Sequence, residues 1–225
     1  MDKTLLTDIA FAPQRTRVHA RLRLKPGSPY IQRVDELLQQ AQAVAKPKAA
    51  CLLGVIDERA ENSLNLNGVW FTGRVLSANL SATHRAFPFL ATCGTELDDW
   101  SAGFDDPLER YWAEEIKHMA LDAAVAHLME HLEQRYALKE AATMTPGSLP
   151  DWPLEQQMPL FSLLGDLPAA LGVRLTDSLL MLPNKTLSGL RFASQDDFES
   201  CKLCPRQRCP GRRAPFDPAL AARLG

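Results

Sequence analysis

The chain has 225 residues, 46% of them hydrophobic, enough to bury a full core as one domain or as one domain with a tail. A formal charge of −2 gives no global attraction to nucleic acid or to an anionic membrane, so neither is an expected partner. No apolar run reaches membrane-span length, and Met1-Asp-Lys-Thr opens no basic-then-apolar export signal, so the cytoplasm is the expected location.

In chain order, residues 15–24 alternate, with Arg15, Arg17, His19, Arg21 and Arg23 on one face and Val18, Ala20, Leu22 and Leu24 on the other. Period two predicts a half-buried strand whose basic face is solvated. Ser28 and Pro29 then open a helix carrying Ile31, Val34, Leu38, Ala41 and Ala45, which Lys46-Pro47 stops. Apolar residues 50–56 read as a buried strand, and strands are expected near Leu64–Phe71 and Arg74–Leu80, punctuated by Gly68 and Gly73. Phe87-Pro-Phe-Leu-Ala-Thr leads into Cys93-Gly94, with Pro88 marking an edge or a strand start.

The strongest helix begins at Asp106-Pro107 and runs to about Tyr136, with Leu108, Trp112, Ile116, Met119, Ala123, Ala126 and Met129 as its stripe. His127 and His131 are i,i+4 neighbours on it, without the Glu of a zinc protease between them, and read as part of a solvated face. Pro146-Gly147 marks a turn, and Asp151 before Trp152-Pro153 a helix start. Pro159 divides the adjoining stretch into two short turns, over 153–158 and 159–164. Asp166 caps a short helix ended by Gly172, and strands come next at Leu179–Leu182 and Thr186–Phe192.

The chain ends on Cys201-Lys-Leu-Cys204-Pro-Arg-Gln-Arg-Cys209-Pro-Gly, a C-x2-C-x4-C run bent by Pro205 and Pro210. Five cysteines, three of them clustered, in a reducing compartment point to metal rather than to a disulfide framework. Three thiolates are one short of a closed site, so Cys93 or Cys51 completes it or one position stays open. Cys93, at a strand end beside Gly94, is the expected fourth ligand; Cys51, mid-strand, is the expected core thiol. Spacing does not separate zinc from iron–sulfur.

Four stretches carry a resemblance: Phe87-Pro-Phe-Leu-Ala-Thr-Cys-Gly-Thr-Glu-Leu, Thr145-Pro-Gly-Ser-Leu-Pro-Asp-Trp-Pro-Leu-Glu-Gln, Leu175-Thr-Asp-Ser-Leu-Leu-Met-Leu-Pro-Asn-Lys and Thr186-Leu-Ser-Gly-Leu. In order and separation, from about residue 30 to 195, they resemble the activation (reactivation) domain of vitamin B12-dependent methionine synthase, in its short stand-alone bacterial form. The resemblance implies an α+β fold, a twisted, mostly antiparallel sheet with packed helices, over residues 1–195; residues 196–225, which that domain lacks, are expected to form a cysteine-rich metal-binding tail packed on it. It also implies that Thr145, Pro146, Gly147 and Ser148, with Lys185, Ser188 and Gly189, face a corrin presented by a partner.

The family's domain covers a corrinoid while cob(II)alamin is reduced by one electron and methylated by S-adenosylmethionine. Its loop reads Arg-x-x-Pro-Gly-Tyr, the Arg holding the ligand's carboxylate and the Tyr lying against its nucleoside. Here Thr143 stands at the Arg position and Ser148 at the Tyr position, while the acid expected to hold the ligand's amine aligns with Ala123 or, next to it, Asp122. Losing the clamp and the ring removes about 2–4 kcal/mol, so S-adenosylmethionine is not expected to bind in the family's way. A lid that has lost its methyl donor and acquired thiolates predicts a [4Fe–4S] cluster on Cys93, Cys201, Cys204 and Cys209, with zinc as the alternative. Cysteine–proline junctions resemble ferredoxin ligation, and Lys202, Arg206, Arg208, Arg212 and Arg213, unrelieved by acid, would balance the cluster's charge. The expected function is reductive reactivation of a corrinoid methyltransferase protein, fed by a separate electron donor. The alternatives are a corrinoid-binding cap with a structural zinc tail, or an ordinary reductive methylation domain.

Overall fold

The computed structural model describes residues 2–194, 198–209 and 212–224; Pro210 and the expected boundary at 195/196 lie outside the described residues. Its frame is the central strand β6 (Arg85–Thr92), seven of whose eight residues are buried. On one side β6 pairs antiparallel with β10 (Thr186–Ala193), from Thr186 opposite Thr92 to Arg191 opposite Phe87. β10 in turn pairs antiparallel with β7 (Ala141–Met144). The other side of β6 is shared end to end by β2 (Lys48–Leu52) and β3 (Gly54–Ala60). β1 (Lys3–Leu6) extends β2, and β4 (Ser63–Leu66) and β5 (Val69–Thr72) extend β3. The expected α+β antiparallel sheet with packed helices is what forms.

Pro88 sits in the middle of this sheet, not at its edge. It lies opposite Leu190, at the stretch where the other neighbour changes from Cys51 to Gly54. A missing N–H is tolerated where one ladder hands over to the next. The predicted 50–56 strand is broken at the same place, between β2 and β3.

Helices cover both faces. α3 (Arg74–Asn79), α6 (Gln157–Leu164) and α7 (Leu167–Leu171) close one core with Leu90, Met144, Leu190 and Phe192. α5 (Pro107–Tyr136) covers the other face over Phe87, Phe89 and Ala91. A third cluster joins α1 (Arg15–Arg21), α2 (Ile31–Val44) and α4 (Thr95–Ala102) to the first half of α5. Asp106 caps α5, its Oδ1 accepting from the N–H of Leu108 at 2.8 Å and of Glu109 at 3.0 Å, with Pro107 in the first turn.

Several expectations are corrected. Residues 15–24 hold a helix, not a strand: Val18 and Leu22, one turn apart, are the buried pair. The basic row is paired rather than merely solvated, His19 meeting Asp35 at 2.7 Å and Arg21 reaching Glu115 at 2.9 Å and Asp122 at 3.1 Å. Those acids on α2 and α5 favour helix there over edge strand. Arg74–Asn79 is also helical, and its first turn is capped from afar: Asp151 Oδ2 accepts from the N–H of Val75 at 2.7 Å. Asp151 therefore does not start the helix after it. A 3₁₀ turn over Leu154–Gln156 stands within the first expected turn, but Pro159 falls in the first turn of α6, where its missing N–H has no helical partner anyway, so a helix replaces the second.

The buried stripe of α5 continues through Ala120, Ala124, Leu128 and Leu132 rather than the expected Ala123, Ala126 and Met129, of which Ala126 is exposed. His127 is exposed, whereas His131 is half-buried with Nε2 enclosed and, among the described residues, unbonded. Short strands β8 (Arg174–Leu175) and β9 (Met181–Leu182) form a separate hairpin before the cis Leu182–Pro183 bond. In the tail, a 3₁₀ turn over Ser200–Leu203 packs against α8 (Pro218–Leu224), which also touches α3. Among the described residues no helix is long and apolar enough to cross a membrane.

Candidate functional site

β7 ends in a tight turn. Gly147 takes φ +80, the N–H of Ser148 donates to the Thr145 carbonyl at 3.1 Å, and Ser148 Oγ donates to the same oxygen at 2.7 Å. The Gly147 N–H donates to the Trp152 carbonyl at 2.8 Å, and Trp152 is fully buried, so the turn is anchored to the core. Gly147 and Ser148 are exposed; Thr145 and Pro146 are half-buried.

Beside this turn lies a cavity of about 230 Å³ between the α5 face of the sheet and the tail. Thr143, Leu187 and Arg191 come from β7 and β10, Val125 and Met129 from α5, and Thr145 and Ser148 from the turn. The remaining wall is the tail: Glu199, Ser200, Cys201, Cys204 and Arg213. The structure thus brings two of the predicted thiols to two of the predicted turn residues.

The thiol segment is organised by one arginine. Arg212 donates from Nη1 to the carbonyls of Cys201 and Ala214, both at 3.1 Å, and from Nη2 to that of Cys204 at 3.2 Å and to that of Arg206. The Arg213 N–H points at Cys201 Sγ, 3.5 Å away. These contacts suit a thiolate at Cys201 and place a cation close by. The basic residues are not all unrelieved by acid, since Arg213 Nε lies 3.9 Å from Glu199. Cys209 is half-buried but does not line the cavity, and the intervening Pro205–Arg208 is exposed. Among the described residues no three His, Cys, Asp or Glu side chains are gathered to hold a metal.

Cys93 does not join the tail. It is fully buried in the cluster with Leu97, Trp112 and Ile116, and burial pushes its thiol up to about 12. Cys51 is a core thiol as expected, pushed up by burial to about 11.

No protein-family model matches the sequence, and no curated protein matches it. Among solved structures, the chain is similar to the crystal structure of the MetH reactivation domain bound to AdoHcy, with a TM-score of 0.60 and 15% identity over 84% of this chain and 72% of that one. The fold is that of a methionine synthase reactivation domain. Within that fold the remaining expected site residues fall into two groups. Ser188 points into the core opposite the cavity, its Oγ donating to Gln157 Oε1 at 2.9 Å. Gly189 is equally enclosed, because a Cβ there would stand 2.4 Å from the Met144 carbonyl oxygen. Neither presents a side chain to an external ring. Lys185 is half-exposed just before β10 and pairs with Glu114 at 2.8 Å.

Glu114 belongs to a network the sequence did not reveal. Lys117, with a side chain only 2% exposed, donates to Asp98 Oδ1 and Glu114 Oε1, both at 2.7 Å, and to Ser101 Oγ at 3.0 Å. Asn184 Nδ2 donates to Glu114 Oε2 at 2.9 Å. Burial alone would raise the Glu114 carboxyl, but bonds from Lys117, Lys185 and Asn184 overcome it and hold it at about 2. The network fastens the segment before β10 to α4 and α5.

Asp122 and Ala123, the positions aligned with an amine-holding acid, are otherwise engaged. Asp122 pairs with Arg21 at 3.1 Å, and Ala123 is packed among the α1, α2 and α4 contacts. The Thr143 position carries a surprise: Arg191, its Cα partner across the ladder, donates from Nη1 to Thr143 Oγ1 at 2.9 Å. A guanidinium therefore stands in the cavity after all, delivered by β10. Period two, with Leu187, Gly189 and Arg191 on the face opposite Leu190 and Phe192, was the available signal for it.

Proposed function

We propose that this protein docks on a corrinoid-bearing methyltransferase protein and supports one-electron reductive reactivation of its cob(II)alamin, using a thiolate-bound iron–sulfur cluster in its tail. One observation carries the reading: Cys201 and Cys204 share a cavity with Thr145 and Ser148 of the Pro146–Gly147 turn. The reactivation-domain fold supports a corrinoid partner, by analogy of fold. Cys201, Cys204 and Cys209 would hold the cluster, with the fourth position open, since Cys93 is enclosed in the core. Fit to such a group is incomplete in this conformation: the Arg213 N–H and the Arg212 cation suit thiolates, while Cys209 must close in through the exposed segment 205–208. When bound, a cluster of this kind supplies single-electron transfer.

The decisive measurement is iron and acid-labile sulfide in protein purified without exposure to oxygen. A brown protein containing both, with iron lost in Cys209→Ser, is the expected result. A colourless protein loaded with zinc would reduce the proposal to a corrinoid-binding cap. Micromolar binding of S-adenosylmethionine would favour an ordinary reductive methylation domain instead.

A further inference from the structure

Two of the three tail thiols are held as a pair. Cys201 lies on the 3₁₀ turn and Cys204 at its end, the N–H of Cys204 donating to the Cys201 carbonyl at 3.3 Å. Three contacts fasten that turn. The Arg212 fork donates to the carbonyls of both cysteines, at 3.1 Å and 3.2 Å. The Lys202 carbonyl accepts from the N–H of Asp217 at 2.8 Å, and Leu203 packs against the core that α3, α6 and α7 close. Both cysteines line the cavity beside the Pro146–Gly147 turn, whereas Cys209 lies off that wall, beyond the exposed segment 205–208. Cys51 and Cys93 are enclosed in the core.

A turn closed between residues i and i+3 keeps its terminal Cα atoms within about 7 Å, which overlaps the roughly 4.4–6.8 Å that a disulfide spans. We propose that in the metal-free chain Cys201 and Cys204 form a dithiol–disulfide couple that reacts with small-molecule disulfides, with Arg212 as the residue that positions the pair. The space of about 230 Å³ beside them admits the reactive end of such a molecule, for example glutathione disulfide. Cys201 Sγ, which faces the Arg213 N–H at 3.5 Å, attacks one sulfur of the incoming disulfide. That S–S bond breaks, and the first glutathione leaves as a thiol carrying the Cys201 proton. Cys204 Sγ then attacks the Cys201 sulfur of the mixed disulfide and expels the second glutathione, which leaves with the Cys204 proton. Two protein thiols are oxidised and one small disulfide is reduced to two thiols. The couple stands apart from the cluster reading; its consequence for that reading is regulatory, since the protein disulfide withdraws two of the three tail ligands.

The test uses the full chain, freed of metal by chelation and fully reduced, then equilibrated without oxygen over a range of reduced-to-oxidised glutathione ratios. Thiols are trapped with acid and alkylated, and linkages are mapped by mass spectrometry after trypsin, which cuts between the two cysteines at Lys202. The expected product is the peptide ending at Lys202 joined to residues 203–206, appearing in one two-electron transition with Cys209 still alkylated. Cys204→Ser should stop at the mixed disulfide, with glutathione remaining on Cys201. Arg212→Met should lower the equilibrium constant for closing the disulfide by about tenfold, because releasing the turn lowers the effective concentration of one thiol at the other. Arg212→Lys, which keeps the charge without the fork, should fall with it. An unchanged constant in these two variants would overturn the positioning role. Absence of the 201–204 link at every ratio, glutathione adducts in its place, or equal linkage to Cys209 would overturn the couple itself. A chain that forms the link yet takes up no iron when reduced would defeat the cluster reading alone; iron uptake without the link would defeat only the couple.

Discussion

Replacing Lys117 with methionine tests the buried network most directly, because the change keeps most of the volume and removes only the charge. In the parent the Lys117 ammonium makes two short bonds to carboxylates and one to Ser101, with 2% of its side chain exposed. Burial works against the ammonium, yet Asp98 and Glu114 raise its pKa overall. Breaking a buried pair by deleting one partner costs about 3–5 kcal/mol. Asp98 and Glu114 are each about a third exposed and can be rehydrated, and Glu114 keeps Lys185 and Asn184. The expected loss is therefore about 2–3 kcal/mol, or roughly 5–10 °C in thermal midpoint for a chain of this size. Urea unfolding at pH 7 followed by circular dichroism measures it, with an unchanged denaturant slope. A Lys117→Met protein within about 0.5 kcal/mol of the parent would show that the pairs behave as ordinary surface pairs and that the network does not fasten α4 to α5.

The same network predicts acid sensitivity. Glu114 titrates at about 2 in the fold against 4.5 in an open chain, so in that window the unfolded state binds more protons and stability rises with pH. The contribution is fully present above pH 4.5 and lost as pH falls toward 2; screening at a third-exposed carboxylate leaves about 1–2 kcal/mol of it, and a Glu114→Gln protein should show a correspondingly flatter acid limb. Thiol labelling should split the cysteines: a maleimide at pH 7 should modify Cys201, Cys204 and Cys209 in metal-free native protein, leaving Cys51 and Cys93 untouched until urea is added. Labelling of Cys93 at the rate of the tail thiols would contradict its burial. Gly189→Ala should destabilise by about 2 kcal/mol or more, read by thermal unfolding, because its Cβ would collide with strand backbone that cannot swing aside; an unaffected midpoint would mean that β7 and β10 lie further apart than described.

The long helix, β6 and β10 were legible because hydrophobic patterning and capping residues such as Asp106-Pro107 report local structure directly, whereas the antiparallel α+β architecture was implied by the resemblance of the four stretches. Residues 15–24 misled because a seven-residue helix with Val18 and Leu22 inward is written with the same alternation as a strand. Nothing in that stretch announces the acids on α2 and α5 that complete it. Lys117 was invisible for a related reason: a lysine on an amphipathic helix reads as surface until α4 places Asp98 over it. At the site, the loss of the Arg at 143 could be read, and period two gives the face of β10 that carries Arg191, but not that this face brings it beside Thr143. That depends on the β10–β7 register, which joins positions 48 apart. Cys93 was chosen as a ligand for its place at a strand end, and the packing of α2, α4 and α5 around that end is what encloses it.

The partnership of Thr186 with Thr92, 94 residues apart, has a consequence for how the protein is made. At about 5–20 residues per second, the ribosome leaves β6 waiting roughly 5–20 s for the strand that covers one whole side of it. During that interval Phe87, Phe89 and Leu90 belong to an open edge with half its ladder missing. Nascent chains stalled before Thr186 should therefore be the species that trigger-type holdases capture and that aggregate when those are absent.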